Sequence, residues 1–368
     1  MKKLLLVRPF ANVMNIKNYN SQEIGLCKAF CKYGYDCDIV YFSTKNCSEQ
    51  VFSNGRNKVT LIWKKGLKFG TMGIYPKYLN PIRLKNYDIV ISNEYNQIMS
   101  ILLMLVHRNV YIYHGPYFNT FLTDSRMQLY DTISVPICNH FVKGIFAKTD
   151  DAAQFLRNKG LKKVKCVGVG LDIDKFQKIQ PISEYTYNTN NILYVGTDEK
   201  RKRVDYIIKV FQAICSERKD IHLIIVGDIS RNRRSQLLNR VEPQYRGCIE
   251  FLGKVENTKM GDIYRNSICS VLASDEEIFG MVVLESMYFG VPCIAHSVAG
   301  PKTVIDDRVD GFLESNYDLG CWKVDFECLI DNIKIREQMG RAARRKVLQC
   351  FTWDKVAHKM MIKMKEMK

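Results

Sequence analysis

The stretch "SDEEIFGMVVLESMYFGVPCIAHSVAGP", residues 274–301, sets two glutamates, Glu277 and Glu285, eight positions apart with a nearly apolar run between them. It continues the short β-type run "SICSVLAS" and holds Phe279-Gly280, a glycine turn that predicts a helix beginning near Met281. A helix start exposes unpaired N–H groups and a partial positive charge, an anion site that suits a diphosphate. Glu285 falls on the second turn, and helical side chains lean toward the N-terminus, so its carboxylate points back at whatever the start holds. A carboxylate repels a phosphate; neutral hydroxyls such as those of a ribose are its expected partners. Its neighbours Val282, Val283, Leu284, Ser286, Met287 and Phe289 leave little room for a solvated face, and an acid in a buried segment needs partners.

Outward from this stretch, β-type runs alternate with amphipathic helical stretches. The second half reads "NILYVG", "DYIIKVFQAICSE", "IHLIIVGD", "CIEFLG", "SICSVLAS" and "VPCIAHS", and the first half "KLLLVR", "CDIVYF", "VTLIW", "DIVISN", "NVYIYH" and "IFAKT", with "SQEIGLCKAFCKYG" a clear helix. That order predicts two parallel sheets of βαβ units in an α/β chain. The boundaries follow: a first Rossmann-like domain over 1–171, a polar linker over 172–190 carrying Pro181, a second Rossmann-like domain over 191–351, and a closing helix over about 352–368. Two such folds make a cleft between them the expected site.

The 368 residues suit two domains, and 46% hydrophobic with 25% charged residues describes a globular chain. The formal net charge of +17 favours polyanionic partners: nucleic acid, an anionic membrane surface or phosphorylated substrates. Thirteen cysteines with no C-x-x-C pair point to a reducing cytosol. The apolar core of "MKKLLLVRPF" is too short for a secretory signal, and "IMSILLMLV" (98–106) too short to span a bilayer. A cytoplasmic protein able to lie against the inner face of the plasma membrane is expected. The stretch 50–87 supports that: it holds Arg56, Lys58, Lys64, Lys65, Lys68, Lys77, Arg83 and Lys85 with Trp63, Phe69, Tyr75 and Tyr78, and no acid.

The glutamate segment resembles the signature of the retaining glycosyltransferases of family 4, or group 1, which carry two glutamates eight apart around F-G and then a G-V-P strand entry. "YVGTDEKRKRVDYIIKVF" resembles the start of that family's second domain and matches Gly196, Lys202 and Asp205 to it. "LIIVGD" and "FLGKV", with Gly227, Gly253 and Lys254, resemble its nucleotide-contacting strand ends. "VGVGLDIDKF" resembles its interdomain segment and "FTWDKV" its closing helix.

The resemblance implies the GT-B fold, two facing Rossmann-like domains with the C-terminal helix returning to the first. It implies transfer, with retention, of a hexose-type sugar from a UDP- or GDP-linked donor to a hydroxyl of a glycan or lipid-linked glycan. Carried over, Glu285 binds the donor ribose, Glu277 contacts the sugar or phosphate region, and Lys202 neutralises the leaving diphosphate. Phe279, Gly280, Met281, Gly196, Thr197, Arg201, Gly227, Gly253 and Lys254 complete the donor-binding set. His114, closing "NVYIYH" before Gly115-Pro116, matches a position that faces the donor sugar. Thr197 stands where an arginine is usual, which leaves Lys200 or Arg201 to supply a second phosphate charge. The segment "AGPKT" places Ala299 and Thr303 in an otherwise glycine and acid pattern, and the Gly-Gly turn after the first strand is replaced around "NYNSQE".

No cofactor and no metal is expected. "DCD" (36–38) and "DID" (172–174) imitate metal-binding acid pairs, but the first enters a strand and the second lies at the linker. No nucleic-acid partner is expected either, although a nucleic-acid-binding protein is one rival reading of the charge and a sugar-nucleotide epimerase of the same fold another.

Overall fold

The computed structural model describes residues 2–14, 16, 21–119, 124–176 and 189–367. Residues 18–20 of the expected Gly-Gly replacement and most of the linker lie outside the described residues. The chain divides into two compact units, Met1–Asp172 with Thr352–Lys368, and Ile173–Phe351.

In the first unit the strands are β1 (Lys2–Val7), β2 (Tyr35–Phe42), β3 (Cys47–Ser53), β4 (Lys58–Lys64), β5 (Leu67–Phe69), β6 (Met72–Ile74), β7 (Ile89–Asn93), β8 (Val110–His114), β9 (Gly144–Ala147) and β10 (Val164–Cys166). The sheet runs β10-β9-β8-β7-β1-β2-β4-β3. β7, β8 and β9 are buried along their whole length, the pattern of parallel strands covered on both faces. β3 departs from the expected all-parallel reading: it pairs antiparallel with β4 at the sheet edge. Its largely exposed residues carry no strand signal that composition could reveal. The hairpin β5–β6 was equally unannounced, because its strands are only three residues long.

Ser21 caps the helix Gln22–Cys31 by accepting from the Ile24 N–H. The closing helix Trp353–Glu366 packs on it, as the resemblance implied. Gly25 makes that possible: a Cβ there would stand 2.2 Å from the Trp353 indole. Trp353, Val356, Ala357, Met360 and Met364 form the buried face of the closing helix.

The second unit holds β11 (Asn191–Val195), β12 (His222–Val226), β13 (Ile249–Gly253), β14 (Cys269–Leu272), β15 (Cys293–His296) and β16 (Gly311–Glu314). Every pairing is parallel, in the order β13-β12-β11-β14-β15-β16. The chain winds outward from β11 in one direction, then returns past it and winds in the other. The loops after β11 and β14 therefore part at their carboxyl ends, which is where such sheets hold ligands. Among the described residues no helix is long and apolar enough to cross a membrane.

Candidate active site

β11 leads through Gly196 into a loop whose turn Lys200–Lys202 ends at Arg203, a left-handed residue (φ 50°) that opens the helix Val204–Cys215. β14 leads through Ser274 to Gly280, whose φ of 80° is the turn that starts the helix Met281–Tyr288. The two loops are laced together. Asp275 N–H donates to the Arg201 carbonyl at 2.8 Å, Arg201 Nη1 donates to the Glu276 carbonyl at 2.9 Å, and Arg203 Nε pairs with Asp275 at 2.6 Å.

At the centre Lys202 Nζ meets Glu277 Oε2 at 2.5 Å, with Arg201 Nη1 at 3.9 Å from the same oxygen. Both Lys202 and Glu277 are mostly buried, so each charge here is balanced chiefly by the other. The third loop joins through the Gly300 N–H, which donates to the Glu277 carbonyl at 3.0 Å. A Cβ at Gly300 would come 2.6 Å from the Phe279 backbone, so the glycine retained in "AGPKT" is required by close approach.

Glu285 lies half-buried one turn into the helix, and Tyr264 Oη donates to its Oε2 at 3.1 Å. Burial, and after it the Glu285 charge, push the Tyr264 hydroxyl pKa well above its ordinary value, so it stays a donor. The sequence reading missed Tyr264: a tyrosine in the short helix Met260–Arg265 carries no signal of its own. Phe279 is buried against Phe351, with ring centroids 6.0 Å apart, and Met281 is half-buried.

The strand ends before this loop pack backbone to backbone. The Gly196 N–H donates to the Val226 carbonyl at 2.9 Å, and the Gly227 N–H to the Gly253 carbonyl at 2.8 Å. A Cβ on Gly227 would fall 1.8 Å from the Gly196 carbonyl oxygen, which excludes any larger residue. Thr197 is pinned at both ends, its carbonyl accepting from Tyr194 Oη and its hydroxyl donating to Glu199, each at 2.8 Å. That hydroxyl, ahead of Arg201, holds the Glu199 carboxyl below its usual value, although burial opposes the shift. Glu199 in turn grips Arg201 Nε at 2.8 Å. Lys254 pairs with Asp228 at 2.7 Å on an exposed edge, and Asp205 is tied to Arg233 at 2.5 Å.

The donor-binding candidates thus lie on the carboxyl-end loops and strand ends of one sheet or, for Met281 and Glu285, on the helix that follows β14, and Arg201, Lys202 and Glu277 are brought into contact. A cavity of about 860 Å³ flanks the same loop, lined by Lys200, Arg203, Asp205, Tyr206, Arg240 and Asp275 among others, but it includes neither glutamate of the signature.

His114 lies in the first unit, at the carboxyl end of β8. It is buried, its Nδ1 against the Glu94 carboxylate, its ring stacked on Phe155 (centroids 6.3 Å apart) and edge-on to Tyr95 (5.3 Å). Glu94 has a φ of 63° and accepts from the Gly115 N–H at 3.3 Å. Burial alone would raise the Glu94 carboxyl, but His114, Lys148 and that N–H outweigh it and hold the group below its ordinary value. Of the acids that imitate metal sites, Asp36, Asp38 and Asp172 have structural partners. Asp36 accepts from Asn57 and the Lys58 N–H, Asp38 from Tyr87, and Asp172 pairs with Lys28 at 2.9 Å.

This architecture, two largely parallel sheets with the closing helix back on the first, is the GT-B fold. Residues 175–346 match the family described as "Glycosyl transferases group 1". The chain is similar to N-acetyl-alpha-D-glucosaminyl L-malate synthase of Bacillus anthracis, 30% identical over 187 residues, covering 50% of this chain and 47% of that protein. It is similar also to D-inositol 3-phosphate glycosyltransferase of Paenarthrobacter aurescens, 25% identical over 205 residues, covering 54% and 50%. It therefore spans about half the length of the curated relatives it matches. Among solved structures, sucrose-phosphate synthase of Thermosynechococcus elongatus superposes with a TM-score of 0.73 at 15% identity, covering 100% of this chain and 99% of that one. Anabaena HepE in complex with UDP and glucose superposes with 0.69 at 14%, covering 99% and 100%. At such identities the likeness carries the fold.

Proposed function

We propose that this protein is a retaining glycosyltransferase that moves a hexose-type sugar from a UDP- or GDP-linked donor to a hydroxyl of a glycan or lipid-linked glycan. The observation that carries this reading is the placing of the Lys202–Glu277 pair and the Tyr264-held Glu285 around the helix start at Gly280, at the parting of β11 and β14. A diphosphate arriving there competes with Glu277 for Lys202, and Arg201 lies close enough to share the charge. The first amides of the helix Met281–Tyr288 supply a fixed dipole. Released from Lys202, Glu277 becomes an acceptor for sugar hydroxyls, while Glu285 accepts from the ribose.

In the chemical step the bond from the anomeric carbon to the phosphate oxygen breaks, and the bond to the acceptor oxygen forms on the same face. The acceptor's proton passes to the departing phosphate oxygen. No protein nucleophile is needed; the protein's work is positioning and stabilising the developing diphosphate charge through Lys202, Arg201 and the helix start. With two cations and a helix dipole in that role, the reaction needs no divalent metal. Peripheral binding to the anionic inner face of the plasma membrane completes the reading: Lys64, Lys65 and Lys68 flank the exposed Leu67 and Phe69 of the β5–β6 hairpin.

The test is a thermal-shift panel of UDP, GDP, ADP and CMP with and without EDTA, since a ligand at 100 times its dissociation constant adds about 2.7 kcal/mol. UDP or GDP should raise the melting temperature equally in both conditions. No shift from any nucleotide sinks the donor reading, and a shift abolished by EDTA sinks its metal-free form. Co-sedimentation with anionic vesicles at low salt, equalled by neutral vesicles, would remove the membrane part.

A further inference from the structure

The first unit holds a pocket of which the roles above use only Lys68, at its rim. β1 ends at Val7, and the chain continues through Arg8 and Pro9 along the β5–β6 hairpin: the Gly73 N–H donates to the Pro9 carbonyl at 2.9 Å, the Ala11 N–H donates to the Thr71 carbonyl at 2.8 Å, and Phe10 bridges Met72. The hairpin is thereby folded over the carboxyl end of β1, beside the point where this sheet too reverses direction, between β1 and β7. Beneath it opens a cavity of about 450 Å³ lined by Arg8, Phe10, Ala11, Asn12, Lys68, Gly70 and Thr71. That volume is in the range of small-molecule sites, and the lining holds two cations and no acid.

Arg8 is held in place before any ligand comes. Its backbone carbonyl accepts from Tyr75 Oη at 2.8 Å, its Nη1 donates to Asn12 Oδ1 at 2.7 Å, and its guanidinium lies 4.8 Å from the Phe10 ring centroid. The nearest acid, Glu23, stands 3.9 Å from Nε and receives hydrogen bonds from the neutral groups of Ser21, Tyr41 and Asn93. Glu23 therefore does not close on the arginine as a tight ion pair. A fixed guanidinium fork opposite an exposed lysine on the roof is suited to a phosphate group.

We propose that this pocket binds a phosphate carried by the acceptor, so that Arg8 and Lys68 select phosphorylated acceptors over neutral ones. The role of the pocket rests on the glycosyltransferase reading; its chemistry rests on Arg8 and Lys68 alone. The phosphate can belong to a soluble sugar phosphate or to a lipid, and the two sources are separable.

Glucose 1-phosphate, glucose and UDP are titrated by calorimetry into wild type, Lys68→Ala, Arg8→Lys and Lys202→Ala. Glucose 1-phosphate should bind wild type and Lys202→Ala, bind at least fivefold more weakly to Lys68→Ala and Arg8→Lys, and glucose should not bind. UDP should show the opposite dependence, weakened by Lys202→Ala alone. Lys68 is exposed on the hairpin, so its substitution keeps the test open if Arg8→Lys fails to fold. Phosphatidylcholine vesicles with phosphatidic acid form the lipid arm; there Arg8→Lys, which keeps the charge, should reduce capture if the lipid is the source. Failure of wild type to bind either phosphate, or equal glucose 1-phosphate affinity in wild type and Lys68→Ala, overturns the proposal. Lys68-dependent phosphate binding without any UDP binding leaves the pocket standing and fells the donor reading instead.

Discussion

The two units share a winding but differ in how they treat charge at the carboxyl ends of their strands. Setting aside antiparallel β3, the first sheet runs third, second, first and then fourth strand outward, as the second does. In the second unit the charged groups sit on loops: Lys202 and Glu277 pair with each other, with Arg201, Glu199, Arg203 and Asp275 around them partly in solvent. In the first unit the polar groups are drawn inward, with Glu23, Asn93, Glu94 and His114 buried at the ends of β7, β8 and the helix Gln22–Cys31. A pair set on loops can be parted by a ligand that brings its own charge to the vacated partner, whereas a network inside the frame resists breaking because an orphaned buried charge is costly. The comparison teaches that one topology can carry charges placed to exchange partners, as the proposed function requires, and a frame that keeps them.

Removing Lys202 strikes the exchanging side hardest. Lys202→Ala should lower turnover by about 10²- to 10³-fold, the scale for losing one preorganised group at a developing charge. Its melting temperature should fall as well, because Glu277 is left mostly buried with only Arg201 nearby, so turnover is compared on folded protein. A variant that melts early yet turns over normally would make the Lys202–Glu277 pair structural and erase the contrast between the units.

Glu285→Ala comes next. Losing a charged hydrogen-bond acceptor for the ribose should weaken nucleotide binding by about 1.5–3 kcal/mol, or roughly 10- to 150-fold in dissociation constant by calorimetry. Unchanged affinity would take Glu285 out of the site and leave it as the partner of Tyr264 only.

The smallest effect falls on the frame, and it is read in stability. Glu94→Gln should cost about 1 kcal/mol near neutral pH. The Glu94 carboxyl is held below its usual value in the folded protein. Its contribution is therefore fully present above its unfolded pKa, about 4.3, and lost as pH falls through the lower folded value. Denaturant melts of wild type and Glu94→Gln should converge as pH drops below about 4.3. A gap between them that stays constant with pH would mean the Glu94–His114 contact carries no ionic part.

Local pattern made the second unit legible. Its strands are continuous apolar runs, Gly280 turns its helix, and the glutamate spacing places both acids relative to one helix start, all within about thirty residues of chain. The first unit was legible in its strands and in His114 at a strand end, but not in its polar frame. Glu94 is adjacent to an ordinary strand in sequence, and only the pairing of β7 with β8 brings it to His114. Tyr264 is hidden for the same reason, twenty-one residues from the glutamate it holds.

By itself, then, the sequence determined the two wound sheets, the helix that begins at Gly280 and the charge types gathered there, because each depends on periodicity, a glycine's positive φ or spacing along one helix. The tertiary structure decided which charges meet: Lys202 with Glu277 across 75 residues, Glu94 with His114 across the β7–β8 ladder, and Arg8 with Lys68 around a pocket roofed by a hairpin too short to announce itself. Contacts between distant segments follow from strand order and register, and no local pattern encodes these.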